Sequence, residues 1–218
     1  CWLKGKMQKT ATQKYRRLDR SFLWHPYSRH SDIRGRPFPV IVRGKGVYLY
    51  DNDGRRYFDA ISSWWACNLG HGHPHIVAAI RRQSRLLQHS ILGNLAHPGA
   101  IELAARIAGL FPDRRRVFFA GDGASAVEAA LKIAVQYWHN LRQPRRMRFV
   151  SFENSYHGDT LGAVAVGFSP AFHAPFRNLR FPVHRVPAPD CAACRLGLRP
   201  EACHGACFAD MSAMLERH

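Results

Sequence analysis

The segment Gly121-Asp122-Gly123-Ala124-Ser125 combines residue types that could bind an anion. Its two glycines let the backbone approach a ligand closely, and the helix expected after it would direct free N–H groups and the positive end of its dipole at a phosphate. An ordinary turn between a strand and a helix, with Asp122 or Ser125 as the N-cap, explains the same residues. The loop matches neither a Walker loop nor a G-x-G-x-x-G fingerprint. Its spacing therefore leaves both interpretations open.

Four cysteines near the end of the sequence form a second group with potential metal-binding chemistry. Cys191, Cys194, Cys203 and Cys207 have the spacing C-x2-C-x8-C-x3-C, and His204 follows the third of them. Four soft ligands are the number that a tetrahedral zinc site requires. The C-x3-C pair and the short central span are less usual, so free thiols are the expected state. We therefore predict no metal site and keep a structural zinc as the alternative.

The elements around the glycine loop follow the order strand, loop, helix, strand. Val117–Ala120 and Arg148–Phe152 are short apolar runs typical of buried parallel strands. Between them, apolar residues at helical spacing predict a helix over Ala126–Leu141. Glu128 and Lys132 on this helix are four residues apart and predict a favourable ion pair. A βαβ unit of this kind indicates an α/β fold with a parallel sheet.

The sequence upstream predicts a hairpin and two further helices. Val47–Asp59 contains two β-rich runs around the turn Asp51–Gly54. Apolar periodicity predicts helices over Pro74–His89 and Pro98–Phe111. Residues 1–20 are polar and basic, and we expect them to form a flexible lead-in.

These patterns divide the chain into three expected regions. The lead-in, residues 1–20, precedes an N-terminal segment over 21–73 that carries the hairpin. Residues 74–218 form a partial large domain, with a cysteine-rich loop at 187–208.

Composition narrows the class of protein. The chain has 218 residues, is 46% hydrophobic and contains five Trp, which excludes a disordered tail. Its net charge is +17, and 26 of its 32 basic residues are arginines. No zinc-finger, RNP or KH motif accompanies this charge, so we expect no nucleic-acid partner. A basic Cys-loop module that binds zinc and nucleic acid stays as an alternative, and it would predict salt-sensitive binding.

Cysteine usage and hydropathy indicate the cellular compartment. The sequence has six Cys, no run of about 18 apolar residues and no secretory signal within residues 1–20. We therefore expect a cytoplasmic protein with reduced thiols and no membrane association.

Five short motifs occur along the chain in a fixed order. They are Trp24-His25-Pro26-Tyr27, Ser62-Ser63-Trp64-Trp65, Gly70-His71-Gly72-His73-Pro74, Gly121-Asp122-Gly123-Ala124-Ser125-Ala126-Val127-Glu128 and Tyr156-His157-Gly158-Asp159-Thr160. Their order and spacing resemble the N-terminal half of the class III aminotransferases, over about Phe22 to Arg217. The resemblance implies an enzyme with the PLP-dependent transferase fold type I and pyridoxal 5'-phosphate (PLP) as cofactor. It implies a partial large domain with a parallel-type sheet, preceded by the β-hairpin segment.

The resemblance also implies roles for single residues. Gly123, Ala124 and Ser125 match the cup that holds the PLP phosphate, which agrees with the anion-binding interpretation of the loop. Tyr156 matches the aromatic residue that stacks on the pyridine ring, and His157 supports the same turn.

Three aromatic residues match positions that line the family's substrate pocket. They are Tyr27, Trp64 and Trp65, and their bulk suits a long, mostly aliphatic amino-oxo acid. The implied partners are small-molecule substrates and, in the full-length form, a second copy of the chain in a homodimer.

The catalytic lysine of this family has no match in the sequence. Transamination needs a lysine to form the Schiff base with PLP. Five of the six lysines lie at or before Lys45, and Lys132 falls within a predicted helix. We therefore assign no catalytic residue to this chain and expect a fragment without turnover of its own. Another class III aminotransferase, specific for an ω-amino acid, is the enzyme alternative.

Overall fold

The computed structural model describes residues 2–33, 35–36, 38–113 and 115–217. The chain divides into two compact units, residues 1–97 and residues 98–218. The first contains α1 (Trp2–Phe22), α2 (His30–Ile33), β1 (Ile41–Lys45), β2 (Tyr48–Asp51), β3 (Arg56–Phe58), α3 (Ser62–Trp65) and α4 (Pro74–Leu86). The second contains α5 (Pro98–Ala108), α6 (Gly123–Asn140), β4 (Val150–Phe152), α7 (Leu161–Val166), α8 (Pro170–His173), a 3-10 helix (Ala174–Leu179), β5 (His184–Val186), α9 (Pro200–Cys203), a 3-10 turn (Ala206–Phe208) and α10 (Ala209–Arg217). None of the described helices has the length and apolar character needed to cross a membrane.

An antiparallel sheet of order β1-β2-β3 forms the centre of the first unit, and the predicted hairpin is confirmed. The Asp51 carboxylate, almost fully buried, closes the turn by accepting hydrogen bonds from the backbone N–H groups of Asp53 and Arg55 and from the Tyr57 hydroxyl, at 3.0, 2.8 and 2.7 Å. Burial raises the pKa of Asp51, but these hydrogen bonds outweigh it, led by that from Tyr57, and the pKa lies below its ordinary value. The hairpin turn is thus held by one ionised carboxylate.

Residues 2–20 of the lead-in, which was expected to be flexible, are helical and belong to α1. Thr12, which is buried, donates a hydrogen bond from Oγ1 to Oδ1 of Asp53 at 2.9 Å and accepts one from Nδ2 of Asn52 at 2.7 Å. Arg16 adds an ion pair to Oδ2 of Asp53 at 3.4 Å. A polar, basic composition is typical of a flexible segment. Composition does not reveal the side-chain hydrogen bonds that hold this polar helix against the hairpin turn at Asn52 and Asp53.

The second unit contains a parallel pair of strands, β4 and β5, in which Val150 lies opposite His184. Helix α7 supplies most of its core, and Val186 of β5 is buried as well. The buried hydrophobic residues are Ala163, Val164, Ala165, Val166, Phe168 and Val186. The predicted parallel sheet is confirmed, although only two strands of it pair within the described residues.

Several predicted boundaries differ from the observed ones. Val117–Ala120 is not a strand, because a strand needs a hydrogen-bonded neighbour and the described part of this unit pairs only β4 with β5. Phe118 and Phe119 in this run are exposed. Helices α4 and α5 each end three residues before the predicted end. The structure also groups α4 with the first unit, whereas the sequence predicts it after a boundary at residue 73.

Candidate functional site

The glycine loop leads directly into helix α6, which begins at Gly123 with Asp122 as its N-cap. The backbone N–H of Ser125 donates to Oδ1 of Asp122 at 2.8 Å, and the Ser125 hydroxyl donates to Oδ2 at 2.7 Å. The hydrogen bond from the backbone N–H of Ser125 is the main cause that lowers the pKa of Asp122. The capping role left open by the sequence therefore belongs to Asp122, and an ionised carboxylate lies at this helix terminus.

The loop has open space at both of its glycines. A Cβ placed on Gly121 or Gly123 would meet no atom within 4 Å, so packing within the protein does not require these glycines. The space lies at the N-terminus of an 18-residue helix, where backbone N–H groups favour an anion. A phosphate that accepts a hydrogen bond from the Ser125 hydroxyl would have to replace the Asp122 carboxylate as its partner. If the Ser125 hydroxyl exchanges partners in this way, the residues of the glycine loop fit the phosphate of PLP.

Gly158 brings the Tyr156-His157-Gly158 turn against this loop. A Cβ on Gly158 would lie 2.5 Å from the Cβ of Ala124, and the φ of Gly158 is +120°. On the other side, a Cβ on Gly167 would lie 2.5 Å from the backbone N of His157. The two glycines thus permit a close approach that places Tyr156 and His157 beside the predicted phosphate loop.

A shared carboxylate holds the exposed ring of Tyr156. The Tyr156 hydroxyl donates to Oδ2 of Asp159 at 2.7 Å, and its ring stacks on that of His173 at 6.1 Å and 15°. Nδ1 of His173 accepts a hydrogen bond from the backbone N–H of Ser169 at 3.0 Å, so Nε2 carries the proton and donates to Oδ1 of Asp159 at 3.2 Å. A flat ring held in this way can stack on a pyridine ring. Sequence reasoning missed His173, because no local pattern links it to Tyr156.

Glu128 does not form the ion pair predicted with Lys132. Among the described residues, its Oε1 accepts hydrogen bonds from the backbone N–H groups of Gly162 and Ala163, at 2.7 and 3.3 Å. A hydrogen bond from Thr160 is the main cause that lowers the pKa of Glu128, and Lys132 adds only a weaker attraction. The expected attraction to Lys132 is therefore present but weak, and the closer partners of the Glu128 carboxylate are the two backbone donors at the start of α7. Glu128 therefore ties α6 to the buried helix α7.

The aromatic residues predicted to line the substrate pocket cluster in the first unit. The rings of Tyr27 and Trp64 stack at 5.5 Å and 17°, and those of Trp64 and Trp65 lie 6.1 Å apart at 48°. All three side chains are exposed. An exposed aromatic surface of this kind can cover an aliphatic chain. These residues belong to unit 1–97, whereas the glycine loop and Tyr156 belong to unit 98–218.

The four cysteines of the C-terminal loop line one cavity of about 40 Å³. Their thiols are free, and no group of three or more His, Cys, Asp or Glu among the described residues is arranged to hold a metal ion. The structure therefore offers no support for the alternative of a structural zinc.

We expect the exposed thiol of Cys191 to react fastest among the four loop cysteines, because the thiols of Cys194, Cys203 and Cys207 are half-buried. The Cys191→Ser variant should lose one thiol equivalent from the fast phase of reaction with Ellman's reagent. The matched control is Cys67→Ser, since Cys67 is half-buried in the other unit and its loss should leave the fast phase unchanged. A fast phase that is unaltered in Cys191→Ser would contradict this order of exposure.

The site and fold agree with one family of enzymes. The class III aminotransferase family matches residues 31–216, and the chain belongs to this family. Pyridoxal phosphate is the cofactor of these enzymes, and the fold is that of the PLP-dependent transferases of fold type I, as expected. One similar structure, an amine transaminase from an uncultivated Pseudomonas species in its PLP-bound form, has a TM-score of 0.77 at 33% identity over 88% of this chain and 44% of the other.

Two of the similar proteins share a single name. The adenosylmethionine-8-amino-7-oxononanoate aminotransferase of Nitratidesulfovibrio vulgaris is 42% identical over 210 residues, which are 95% of this chain and 39% of that enzyme. The crystal structure of the enzyme with the same name from Methanocaldococcus jannaschii has a TM-score of 0.81 at 33% identity, over 94% of this chain and 44% of that one. The (S)-enantioselective omega-transaminase of Thermomicrobium roseum has a TM-score of 0.80 at 33% identity, over 91% of this chain and 44% of that one. The chain thus spans less than half the length of the relatives it matches.

Proposed function

We propose that this chain is part of a PLP-dependent aminotransferase of biotin biosynthesis. The enzyme would transfer an amino group from S-adenosylmethionine to 8-amino-7-oxononanoate and give 7,8-diaminononanoate. The observation that supports the cofactor site most directly is the close approach of Gly158 to Ala124, where an added Cβ would lie 2.5 Å from the Ala124 Cβ. It favours a stackable tyrosine beside the N-terminus of α6. The shared name of the relatives supports the choice of substrates.

When bound, PLP would supply the electron sink that stabilises negative charge at the substrate carbon. The first turn of α6, with Gly123, Ala124 and Ser125, would bind the phosphate through N–H and hydroxyl donors. Tyr156, held beside His157, would orient the ring by stacking.

The aromatic cluster would select the substrate. Tyr27, Trp64 and Trp65 would cover the aliphatic chain of 8-amino-7-oxononanoate and exclude water from it. Specificity of this kind depends on apolar area rather than on charge.

The proton transfers of the reaction need a lysine that this chain does not provide. Lys132 is exposed on α6, and the other lysines lie at or before Lys45. We propose that the Schiff-base lysine lies outside residues 1–218, so that the chain has no turnover when expressed alone. We further propose a homodimeric full-length enzyme in the cytoplasm, where thiols such as those of the cysteine loop stay reduced.

A chimera tests the proposal directly. Residues 1–218 would replace the matching N-terminal portion of the Nitratidesulfovibrio vulgaris enzyme, and the product would be assayed with S-adenosylmethionine and 8-amino-7-oxononanoate. We expect formation of 7,8-diaminononanoate and growth without biotin of a bacterial strain that lacks this activity. The matched control is the same chimera with Tyr156→Ala, which should lose activity.

Two results would contradict the proposal. A folded chimera that aminates only substrates of ω-amino-acid aminotransferases would favour that branch of the family. Failure of the isolated chain to bind pyridoxamine 5'-phosphate, in a separate dialysis measurement, would contradict the cofactor site even if the chimera fails to fold.

A further inference from the structure

The Ser62–Trp65 segment, α3, has a backbone conformation that its residues rarely adopt. Ser62, Ser63, Trp64 and Trp65 have φ values of 49°, 49°, 64° and 66°. A left-handed turn brings the Cβ of an L-residue close to the following carbonyl, and each of these four residues has a Cβ. Such a turn persists only where surrounding contacts hold it.

Asp59 supplies the contacts on one side of this turn. Its Oδ1 accepts the backbone N–H of Ser63 at 2.9 Å, and its Oδ2 accepts the Ser63 hydroxyl at 2.7 Å. The side chain of Asp59 is only 6% exposed. The hydrogen bond from the backbone N–H of Ser63, followed by that from His71, lowers the pKa of Asp59 to about 2. The carboxylate is therefore ionised at any physiological pH.

His71 fixes Asp59 to the sheet. Its Nε2 lies 2.7 Å from Oδ2 of Asp59, and its backbone exchanges two hydrogen bonds with Gly46, at 2.8 and 2.9 Å. A Cβ on Gly44 of β1 would lie 2.6 Å from Cγ of His71, so the imidazole occupies the space that a side chain would need. The chain of contacts runs from β1 through His71 and Asp59 to the left-handed turn.

The same three side chain types form hydrolytic triads, but the arrangement here is different. In a triad, histidine lies between serine and aspartate and takes the proton of the serine. Here Asp59 lies in the middle, and both Ser63 and His71 bind its Oδ2. His71 therefore has no path to the Ser63 hydroxyl as a base, and the network is suited to holding a conformation.

We propose that Asp59 and His71 are positioning residues that keep Trp64 stacked on Tyr27 and thereby shape the surface for the aliphatic substrate. This inference rests on the proposed function for the identity of that substrate. The stacking itself, at 5.5 Å and 17°, depends on the turn, since a reversal of φ at Trp64 would redirect its ring. If this aromatic surface is disturbed, the enzyme would bind 8-amino-7-oxononanoate less tightly, and by the same amount in the ground state and in the transition state.

The first test uses the 218-residue chain and does not depend on catalysis. Three variants are compared. Asp59→Asn keeps an acceptor for the Ser63 N–H but cannot accept hydrogen bonds at both positions. His71→Ala removes the donor to Asp59, and His71→Gln restores a donor. His75→Gln is the matched control, because His75 is exposed on α4 of the same unit. Trp64→Phe identifies the part of the near-ultraviolet circular dichroism that comes from Trp64.

We expect Asp59→Asn and His71→Ala to lose most of the Trp64 signal while far-ultraviolet circular dichroism stays unchanged. His71→Gln should recover part of the signal, and His75→Gln should retain all of it. A Trp64 signal that is unaltered in both Asp59→Asn and His71→Ala would overturn the proposal. If His71→Ala does not fold, Asp59→Asn and His71→Gln decide between the outcomes.

The second test places the same variants in the chimera. We expect KM for 8-amino-7-oxononanoate to rise about tenfold with little change in kcat, because uniform binding is lost. A loss of kcat at constant KM would contradict a role in positioning the substrate surface. An inactive parent chimera would count against the proposed function alone, since the spectroscopic test of the turn is independent of it.

Discussion

Gly158→Ala should weaken the binding of pyridoxamine 5'-phosphate to this chain by about tenfold, since a lost aromatic stacking contact costs roughly 1 kcal/mol and a tenfold change in affinity is about 1.4 kcal/mol. The added Cβ would lie 2.5 Å from the Cβ of Ala124, and the φ of +120° is unfavourable for alanine. The Tyr156 turn must therefore move away from the glycine loop. Pyridoxamine phosphate is the suitable probe, because its amine forms no imine with surface lysines. Equilibrium dialysis measures the affinity.

Gly197→Ala is the matched control for this prediction. Gly197 also has a positive φ, of +66°, but a Cβ there would meet no atom within 4 Å. The control thus introduces backbone strain without a steric contact, in the cysteine loop of the same unit. Equal affinities in Gly158→Ala and Gly197→Ala would show that the contact with Ala124 does not position the cofactor site.

Glu128→Ala should cause the second large effect, a loss of stability in unit 98–218. The substitution leaves the N–H groups of Gly162 and Ala163 without their acceptor at the start of the buried helix α7. An unsatisfied buried donor costs about 1–3 kcal/mol, and a domain has a total stability of only about 5–15 kcal/mol. Urea unfolding monitored by circular dichroism measures the difference in the free energy of unfolding.

Glu128→Gln and Lys132→Ala serve as controls for this effect. Glutamine keeps a carbonyl acceptor and should retain much of the stability, and removal of Lys132 should change it little. The folded-state pKa of Glu128 is lowered, chiefly by Thr160. Its contribution is therefore complete above the ordinary pKa of about 4.5 and is lost as the pH falls through the folded value. A Lys132→Ala variant as unstable as Glu128→Ala would restore the ion pair as the explanation.

Sequence patterns correctly predicted the elements that are determined by residues close to one another in the sequence. The Asp51–Gly54 turn has the residue types of a hairpin, and the structure pairs β2 with β3 around it. The helix predicted over Ala126–Leu141 is observed as Gly123–Asn140, because apolar periodicity is a property of the segment itself. The order of elements predicted a parallel sheet, but the strand that pairs with β4 is β5 and not the Val117–Ala120 run.

Two of the three features that sequence reasoning missed depend on contacts between residues distant in the sequence. Glu128 was assigned to its neighbour on the helix, although its acceptor role joins it to residues 34 and 35 positions away. His173 contacts Asp159 and stacks on Tyr156 from the four-residue helix α8, which is too short for apolar periodicity to predict. The left-handed turn at Trp64 was also unexpected, since no glycine marks it. For Glu128 and His173 a partner distant in the sequence decides the geometry, whereas Asp59, which holds the turn at Trp64, is only four residues before Ser63.

The parallel pairing of β4 with β5 has a kinetic consequence. Val150 and His184 are 34 residues apart, and the Glu128–Gly162 hydrogen bond spans the same separation. Closing a loop of this length costs roughly 3 kcal/mol of chain entropy from its length-dependent term alone. The hydrogen bonds within α6 join residues that are close in the sequence, so they require no such loop closure. This helix can therefore form early, whereas β4 and β5 can pair only after the chain between them has closed. The second unit should therefore acquire helical structure before the turn that carries Tyr156 reaches the glycine loop.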